Sequence, residues 1–253
     1  MTQFTTNGIT LAFDDFGPRE APPIVLVHGF SSNRNENWRR VGWYGTLERR
    51  RLRCLAFDSR GHGESDKPHD PAAYARESLV GDIFALMDHA GIAKADLMGY
   101  SMGARLALAA ALARPERLHN LIIGGVGGRM FEASPPGNPM ADAMDADDPN
   151  AISDPLLRSF RHFADEQGED RKALAACARA QHGSFDRDAL AQLRVPTLVV
   201  AGARDALAGD PEILAHAIPG ARAVTLPGCD HFSAIPHALF KATVFDFLDG
   251  TLE

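Results

Sequence analysis

The sequence predicts an α/β fold, a mostly parallel sheet with helices on both faces, and three observations carry that prediction. Short apolar runs that read as strands alternate with longer stretches of helical spacing. Those runs are mostly apolar, as suits strands covered on both faces of a parallel sheet. A length of 253 residues with 45% hydrophobic and 23% charged side chains suits one compact unit, whose core needs neither disulfides nor metals.

Taken in order, Pro22 and Pro23 lead into IVLV (Ile24 to Val27), a buried strand ending at His28-Gly29-Phe30. Arg49 to Arg53 reads as a solvated helix end, and LRCLAF (Leu52 to Phe57) as a second strand running into SRGHGES. Leu79, Ile83, Leu86, Met87 and Ala90 recur at helical spacing, and Gly91 stops that helix. ADLMGY is the next strand. MGARLALAAALAR follows with the composition of a strong helix former and ends at Pro115. LIIGGV (Leu121 to Val126), TLVVAG (Thr197 to Gly202) and ARAVTL (Ala221 to Leu226) read as strands. Asp210 to Ile218 and Pro236 to Leu248 read as helices, with Asp210 as an N-cap ahead of Pro211.

Residues 127–188 break this rhythm. Their first part is rich in proline, aspartate and alanine, and their second part looks helical. An insertion lying over the sheet edge accounts for both, so the expected organisation is a core of 1–126 and 189–253 interrupted by 127–188. No internal repeat is present.

Charge and composition exclude several function classes. A formal net charge of −7, with no long basic cluster, repels phosphate backbones and anionic lipid, so neither nucleic acid nor membrane is an expected partner. The N-terminus lacks a signal-peptide pattern and no run of 18 apolar residues occurs, so a cytoplasmic location is expected. Cys54, Cys177 and Cys229 are odd in number and widely spaced, which suits reduced thiols. Gly124 to Gly128 do not match a dinucleotide loop, no Walker lysine is present, and the histidines lack paired metal spacing. No cofactor and no metal are expected.

The stretch LMGYSMGAR places Ser101 between Gly99 and Gly103 at a strand-to-helix turn. Such a turn strains the serine backbone, requires small residues two positions either side, and lifts the hydroxyl over the carboxyl ends of the strands. The following helix points its N-terminal amides at developing negative charge. A bare G-x-S-x-G also fits a glycine turn with a solvated serine, and context decides. A serine hydroxyl needs a base, and the base needs a carboxylate to fix its tautomer. Asp205 in AGARD and His231 in GCDHF each follow a strand, and strand-end loops of a parallel sheet converge on one rim.

With HGF, DSRGHGES, GYSMGA, GARD and GCDH in this order, the chain resembles the α/β-hydrolase superfamily, serine esterase type, over nearly its whole length outside the insertion. The resemblance implies an eight-stranded, mostly parallel sheet with an inserted helical cap. It implies Ser101 as nucleophile, His231 as general base and then acid, and Asp205 as the orienting carboxylate, with the backbone N–H groups of Phe30 and Met102 as the oxyanion hole. The expected activity is hydrolysis of small-molecule or polymeric carboxylic esters through an acyl-enzyme. Lactonase, carbon–carbon hydrolase, a lyase of the menaquinone-pathway type and a slow-turnover ligand receptor stand beside it. Oligomeric state is not set by any of these motifs.

Competing candidates are weighed on their own chemistry. The resemblance makes His62 part of a structural loop behind the site, while His28 suits a hydrogen-bonded loop histidine better than a base. Asp230 adjoins His231, but adjacent residues on an extended segment point apart, so it reads as a surface carboxylate. Arg105, one helical turn beyond Ser101, suits a solvated or packing role better than a grip on a dicarboxylate. Met130, Phe131, Met140, Met144, Phe160 and Phe163 are the candidate apolar lining of the substrate pocket. Phe160 and Phe163 equally suit packing of the cap on the sheet.

Overall fold

The computed structural model describes residues 2–132, 137–180 and 183–252. Its strands are β1 (Thr2–Thr6), β2 (Ile9–Phe16), β3 (Pro23–Val27), β4 (Arg53–Phe57), β5 (Ala95–Tyr100), β6 (Leu118–Gly124), β7 (Thr197–Gly202) and β8 (Arg222–Leu226). They form one eight-stranded sheet in the order β1-β2-β4-β3-β5-β6-β7-β8. β2 runs antiparallel to β1 and β4, and every other neighbouring pair is parallel. The helices, in chain order, are α1 (Trp43–Arg49), α2 (Arg76–His89), α3 (Met102–Ala113), α4 (Pro139–Asp145), α5 (Pro155–Gln167), α6 (Arg171–Arg179), α7 (Arg187–Leu190), α8 (Pro211–Ala215) and α9 (Ala238–Leu248).

The period of two along the strands sorts the core into two layers. Val25, Val27, Leu55 and Leu97 face a cluster that includes Leu79, Ile83, Leu106 and Leu214 of α2, α3 and α8. Ile24, Leu26, Met98 and Leu198 face the opposite cluster, with Trp43 and Leu47 of α1 and Phe240 and Val244 of α9. Both faces are therefore covered, which is why β3, β4, β5 and β7 read as mostly apolar runs.

The first hairpin escapes that signature. β1 and β2 lie at the sheet edge with mixed burial, and Asn7 and Gly8 turn between them at φ 48° and 77°. Asn-Gly is the usual dipeptide for such a turn and is the signal available there. Arg53 also departs from expectation. Rather than ending a solvated helix it lies in β4, 6% exposed, donating through Nε and Nη2 to both carboxylate oxygens of Asp15 and through Nη2 to the Ala90 carbonyl.

Between β6 and β7, α4, α5 and α6 gather around Met144, Phe160, Ala164 and Leu174 in a small core of their own. Asp154 and Asp170 accept N–H bonds at the starts of α5 and α6. The chain on either side of these helices also meets the main core. Gly128 and Arg129 donate their N–H groups to the carbonyls of Asp210 and Ala208, Met130 is buried in the main core, and so is Leu190 of α7. Residues 133–136 and 181–182 of the 127–188 segment lie outside the described residues. Among the described residues no helix is long and apolar enough to cross a membrane.

Candidate active site

Ser101 stands between β5 and α3 with φ 55° and ψ −113°. A side-chain-bearing residue rarely adopts this conformation, and the surroundings must hold it there. The Ser101 N–H donates to the Gly124 carbonyl at 2.8 Å. Glycine is obligatory on both sides, since a Cβ on Gly99 would lie 2.2 Å from the Gly103 carbonyl oxygen and one on Gly103 would lie 2.1 Å from that of Val27.

The turn carries the Ser101 hydroxyl to 2.9 Å from His231 Nε2, and His231 Nδ1 lies 2.8 Å from Asp205 Oδ2. The other carboxylate oxygen, Oδ1, accepts the N–H groups of Leu207 and Ala208, each at 3.0 Å. A carboxylate fixed on both oxygens leaves Nδ1 as the donor and Nε2 as the acceptor for the serine proton. Asp205 is 4% and His231 6% exposed, so this line of hydrogen bonds is shielded from competing water. Tyr100 donates its hydroxyl to the His231 carbonyl at 2.7 Å and pins the loop that bears the imidazole.

Two residues that line the chambers beside Ser101, Phe30 and Met102, are the expected backbone donors. Met102 is the first residue of α3, where N–H groups have no partner within the helix, and Phe30 follows the turn after β3. Neither N–H donates to another group among the described residues. The site therefore brings a serine hydroxyl, an imidazole with a defined tautomer and a buried carboxylate into one hydrogen-bonded line.

The competing candidates fall outside this line. His28 donates from Nδ1 to the Gly29 carbonyl at 2.8 Å and accepts the Ser59 N–H on Nε2 at 2.9 Å. Burial lowers its pKa to about 4. His62 bonds through Nδ1 to the Arg60 carbonyl, packs edge-on against His28 and Phe30, and is pushed by burial to about 3. Asp230 is exposed and accepts from the Ser233 hydroxyl and from the N–H groups of Phe232 and Ser233, bonds that lower its pKa. Cys54, Cys177 and Cys229 are buried free thiols.

Two chambers open on Ser101, of about 300 Å³ and 380 Å³. Phe30, Ser101, Phe160 and His231 border both. The first continues along Asn37, Arg40, Val41, Phe163, Phe232 and Ile235, the second along Met102, Arg105, Val126, Met130, Met140 and Leu207. The Phe160 ring, on the border of both, has its centroid 6.3 Å from that of His231 and 5.3 Å from that of Phe232.

Two expected lining residues are corrected here. Met144 is fully buried inside the cap, where α4 packs on α5 and α6, and Phe131 turns its ring away to meet the Arg187 guanidinium at 3.7 Å. Tyr100, Asn37, Leu207, Phe232 and Ile235 join the site without having been expected. Phe232 was marked by its place next to His231, whereas Asn37 carried no sequence signal.

Comparison with known proteins follows the geometry. A family model described as alpha/beta hydrolase fold matches residues 22–153. A putative 2-succinyl-6-hydroxy-2,4-cyclohexadiene-1-carboxylate synthase from Bacillus subtilis (strain 168) is 33% identical over 118 residues, 47% of this chain and 41% of that protein. The chain spans less than two thirds of the length of the first curated relatives it matches, at 41%, 37% and 62%. Among solved structures, the enol-lactonase from Burkholderia xenovorans LB400 is 29% identical with a TM-score of 0.84, covering 98% of this chain and 100% of its own. A thermophilic esterase from Thermogutta terrifontis is 26% identical with a TM-score of 0.79, covering 100% and 98%.

Proposed function

The chain belongs to the α/β-hydrolase family, and on that premise we propose that it is a serine hydrolase cleaving carboxylic esters through an acyl-enzyme at Ser101. The observation that carries the reading is the continuous hydrogen-bonded line Ser101–His231–Asp205. Ser101 Oγ attacks the ester carbonyl carbon as its proton passes to His231 Nε2. The carbonyl oxygen, now negative, receives the N–H groups of Phe30 and Met102. The imidazolium, stabilised by Asp205, returns its proton to the departing alkoxide. Water deprotonated by the same imidazole then attacks the acyl carbon, and Ser101 leaves with the proton. Esters come before amides because an alcohol leaves without strong protonation.

A fluorophosphonate probe and p-nitrophenyl butyrate test this reading together. Wild type is expected to be labelled at Ser101 and to turn the ester over continuously. Ser101→Ala is expected to lose labelling, and with it turnover by a factor on the order of 10⁶ at constant fold. A single burst followed by silence would indicate a slow-turnover receptor, and labelling that survives in the alanine variant would remove Ser101 as nucleophile.

One observation favours a second reading, a lactone or enol ester whose acid portion carries a carboxylate. Arg105 lines the second chamber and makes no ion pair with a carboxylate among the described residues. Its guanidinium donates to the Gly183 carbonyl at 3.2 Å and lies over Phe185, and burial lowers its pKa. The enol-lactonase and the synthase named above lend this reading its substrate class. If it holds, Arg105→Met lowers kcat/KM for a monoester of a dicarboxylic acid about 10-fold or more, and leaves that for the neutral ester in place.

A further inference from the structure

We infer that Asn37 is a positioning residue of the oxyanion hole, one that holds the His28–Gly29 peptide and thereby sets Gly29 so that the Phe30 N–H of the next peptide faces the oxygen of the tetrahedral intermediate. The inference rests on the reading of Ser101 as nucleophile and of the Phe30 N–H as oxyanion donor.

Asn37 sits on a π-helical turn, Asn35–Arg39, a rare geometry concentrated at functional sites. The turn is anchored at its start by Asn33, whose Oδ1 accepts the N–H groups of Asn35 and Glu36 at 3.1 and 3.0 Å and whose carbonyl accepts the Asn37 N–H at 2.9 Å. From this fixed base Asn37 Oδ1 accepts the Gly29 N–H at 3.0 Å. A Cβ built on Gly29 would lie 3.5 Å from that oxygen and 3.4 Å from Ser101 Cβ, so Asn37 and Ser101 flank the same glycine.

Gly29 has no side chain to restrict its own dihedrals, so its two peptide planes need external anchors. Asn37 holds the first through its N–H. His28 Nδ1 holds the second by donating to the Gly29 carbonyl at 2.8 Å. Because that second peptide is planar and trans, a fixed carbonyl aims the Phe30 N–H the opposite way. Freed of the Asn37 anchor, the Gly29 nitrogen would shift and carry the Phe30 donor with it.

The other half of the Asn37 amide argues against a role in stability alone. Nδ2 is buried with no hydrogen-bond partner among the described residues, in a side chain 3% exposed. An unpaired buried amide is costly, and an aliphatic group of the same volume would avoid that cost. What asparagine adds over leucine at this position is the carbonyl oxygen facing Gly29.

The test uses the full-length protein with Asn37→Leu, which keeps volume, and Asn37→Ala, which leaves space for a water to accept the Gly29 N–H. The probe is an alkyl fluorophosphonate, whose phosphoryl oxygen occupies the oxyanion position. The second-order rate of Ser101 labelling is followed by intact mass and the melting temperature is measured beside it. Labelling is expected to slow about 10-fold or more in Asn37→Leu, less than the full loss of one oxyanion donor, and by a smaller factor in Asn37→Ala. With p-nitrophenyl butyrate kcat is expected to fall with KM little changed, the split of an interaction made only in the transition state. Labelling at the wild-type rate in both variants overturns the inference while leaving Ser101 as nucleophile. Failure of wild type to be labelled at Ser101 overturns both. Loss of folding in both variants makes Asn37 a structural residue, and the inference falls.

Discussion

At the scale of single residues, Asp205 and Asp230 separate a carboxylate that acts from one that caps. Asp230 adjoins His231 in the chain and Asp205 lies 26 positions before it, but Asp205 offers Oδ2 to the imidazole while two backbone N–H groups hold its other oxygen, whereas Asp230 uses its acceptors on residues 232 and 233. Asparagine at 205 would present an N–H₂ or a neutral oxygen to Nδ1 and favour the wrong tautomer. Asp205→Asn is therefore expected to lower kcat about 10⁴-fold with the fold intact by circular dichroism. Asp230→Asn is expected to change kcat less than about 3-fold, because it touches no reacting group. The same contrast explains what could be read in advance. The serine, its glycines and the two strand-end partners follow from local stereochemistry, whereas Tyr100 reaches the His231 carbonyl across 131 positions of chain and no short motif announces such a contact.

At the scale of elements, one carboxylate and one aromatic side chain stand out among the contacts between the cap and the core. Glu169, in the break between α5 and α6, accepts the Gly63 N–H on Oε2 at 2.8 Å and the Asn33 Nδ2 donor on Oε1 at 3.0 Å. Burial raises the pKa of this carboxyl. Phe160 of α5 borders both chambers, while Phe163, one turn on, lines only the first. Phe160→Ala is expected to join the chambers and change the ratio of long-chain to short-chain kcat/KM about 10-fold. It should also destabilise by roughly 3–5 kcal/mol, because the ring is 5% exposed and packed in the cap core. Phe163→Ala is expected to alter selectivity with a much smaller drop in melting temperature. An unchanged selectivity ratio in both variants, with only melting temperatures affected, would return these rings to a packing role.

At the scale of the whole molecule, two neutral histidines buried behind the site tie stability to pH. Burial lowers their pKa in the folded chain to about 4 for His28 and about 3 for His62, below the 6.5 of an ordinary imidazole. Below pH 6.5 the unfolded chain binds protons that the folded chain refuses, so this contribution is intact above that pH and is lost as pH falls toward 4. The buried carboxyls of Asp58, Asp82 and Asp96 are raised by burial and act with the opposite sign. A variant comparison isolates the histidine share. The melting temperature is expected to decline between pH 6.5 and 4 less steeply in His62→Leu than in wild type. Equal slopes would mean that His62 takes up its proton in the folded state.

The amino-acid sequence by itself determined the alternation of strands and helices, the strained serine turn and the order of its partners. Each of these rests on short-range rules. Strands buried on both faces must be largely apolar, and the turn at Ser101 must have glycine at 99 and 103. Tertiary structure alone decided which cap side chains face the reacting atoms. Met140 reaches a chamber and Met144, one helical turn on, does not, because α4 settles against α5 and α6 through packing that no local period encodes. It also decided that Arg53 pairs with Asp15 across the sheet and that Asn37 meets the Gly29 amide. Such contacts depend on where separate elements come to rest, and that is set by the summed fit of the core rather than by any one stretch of sequence.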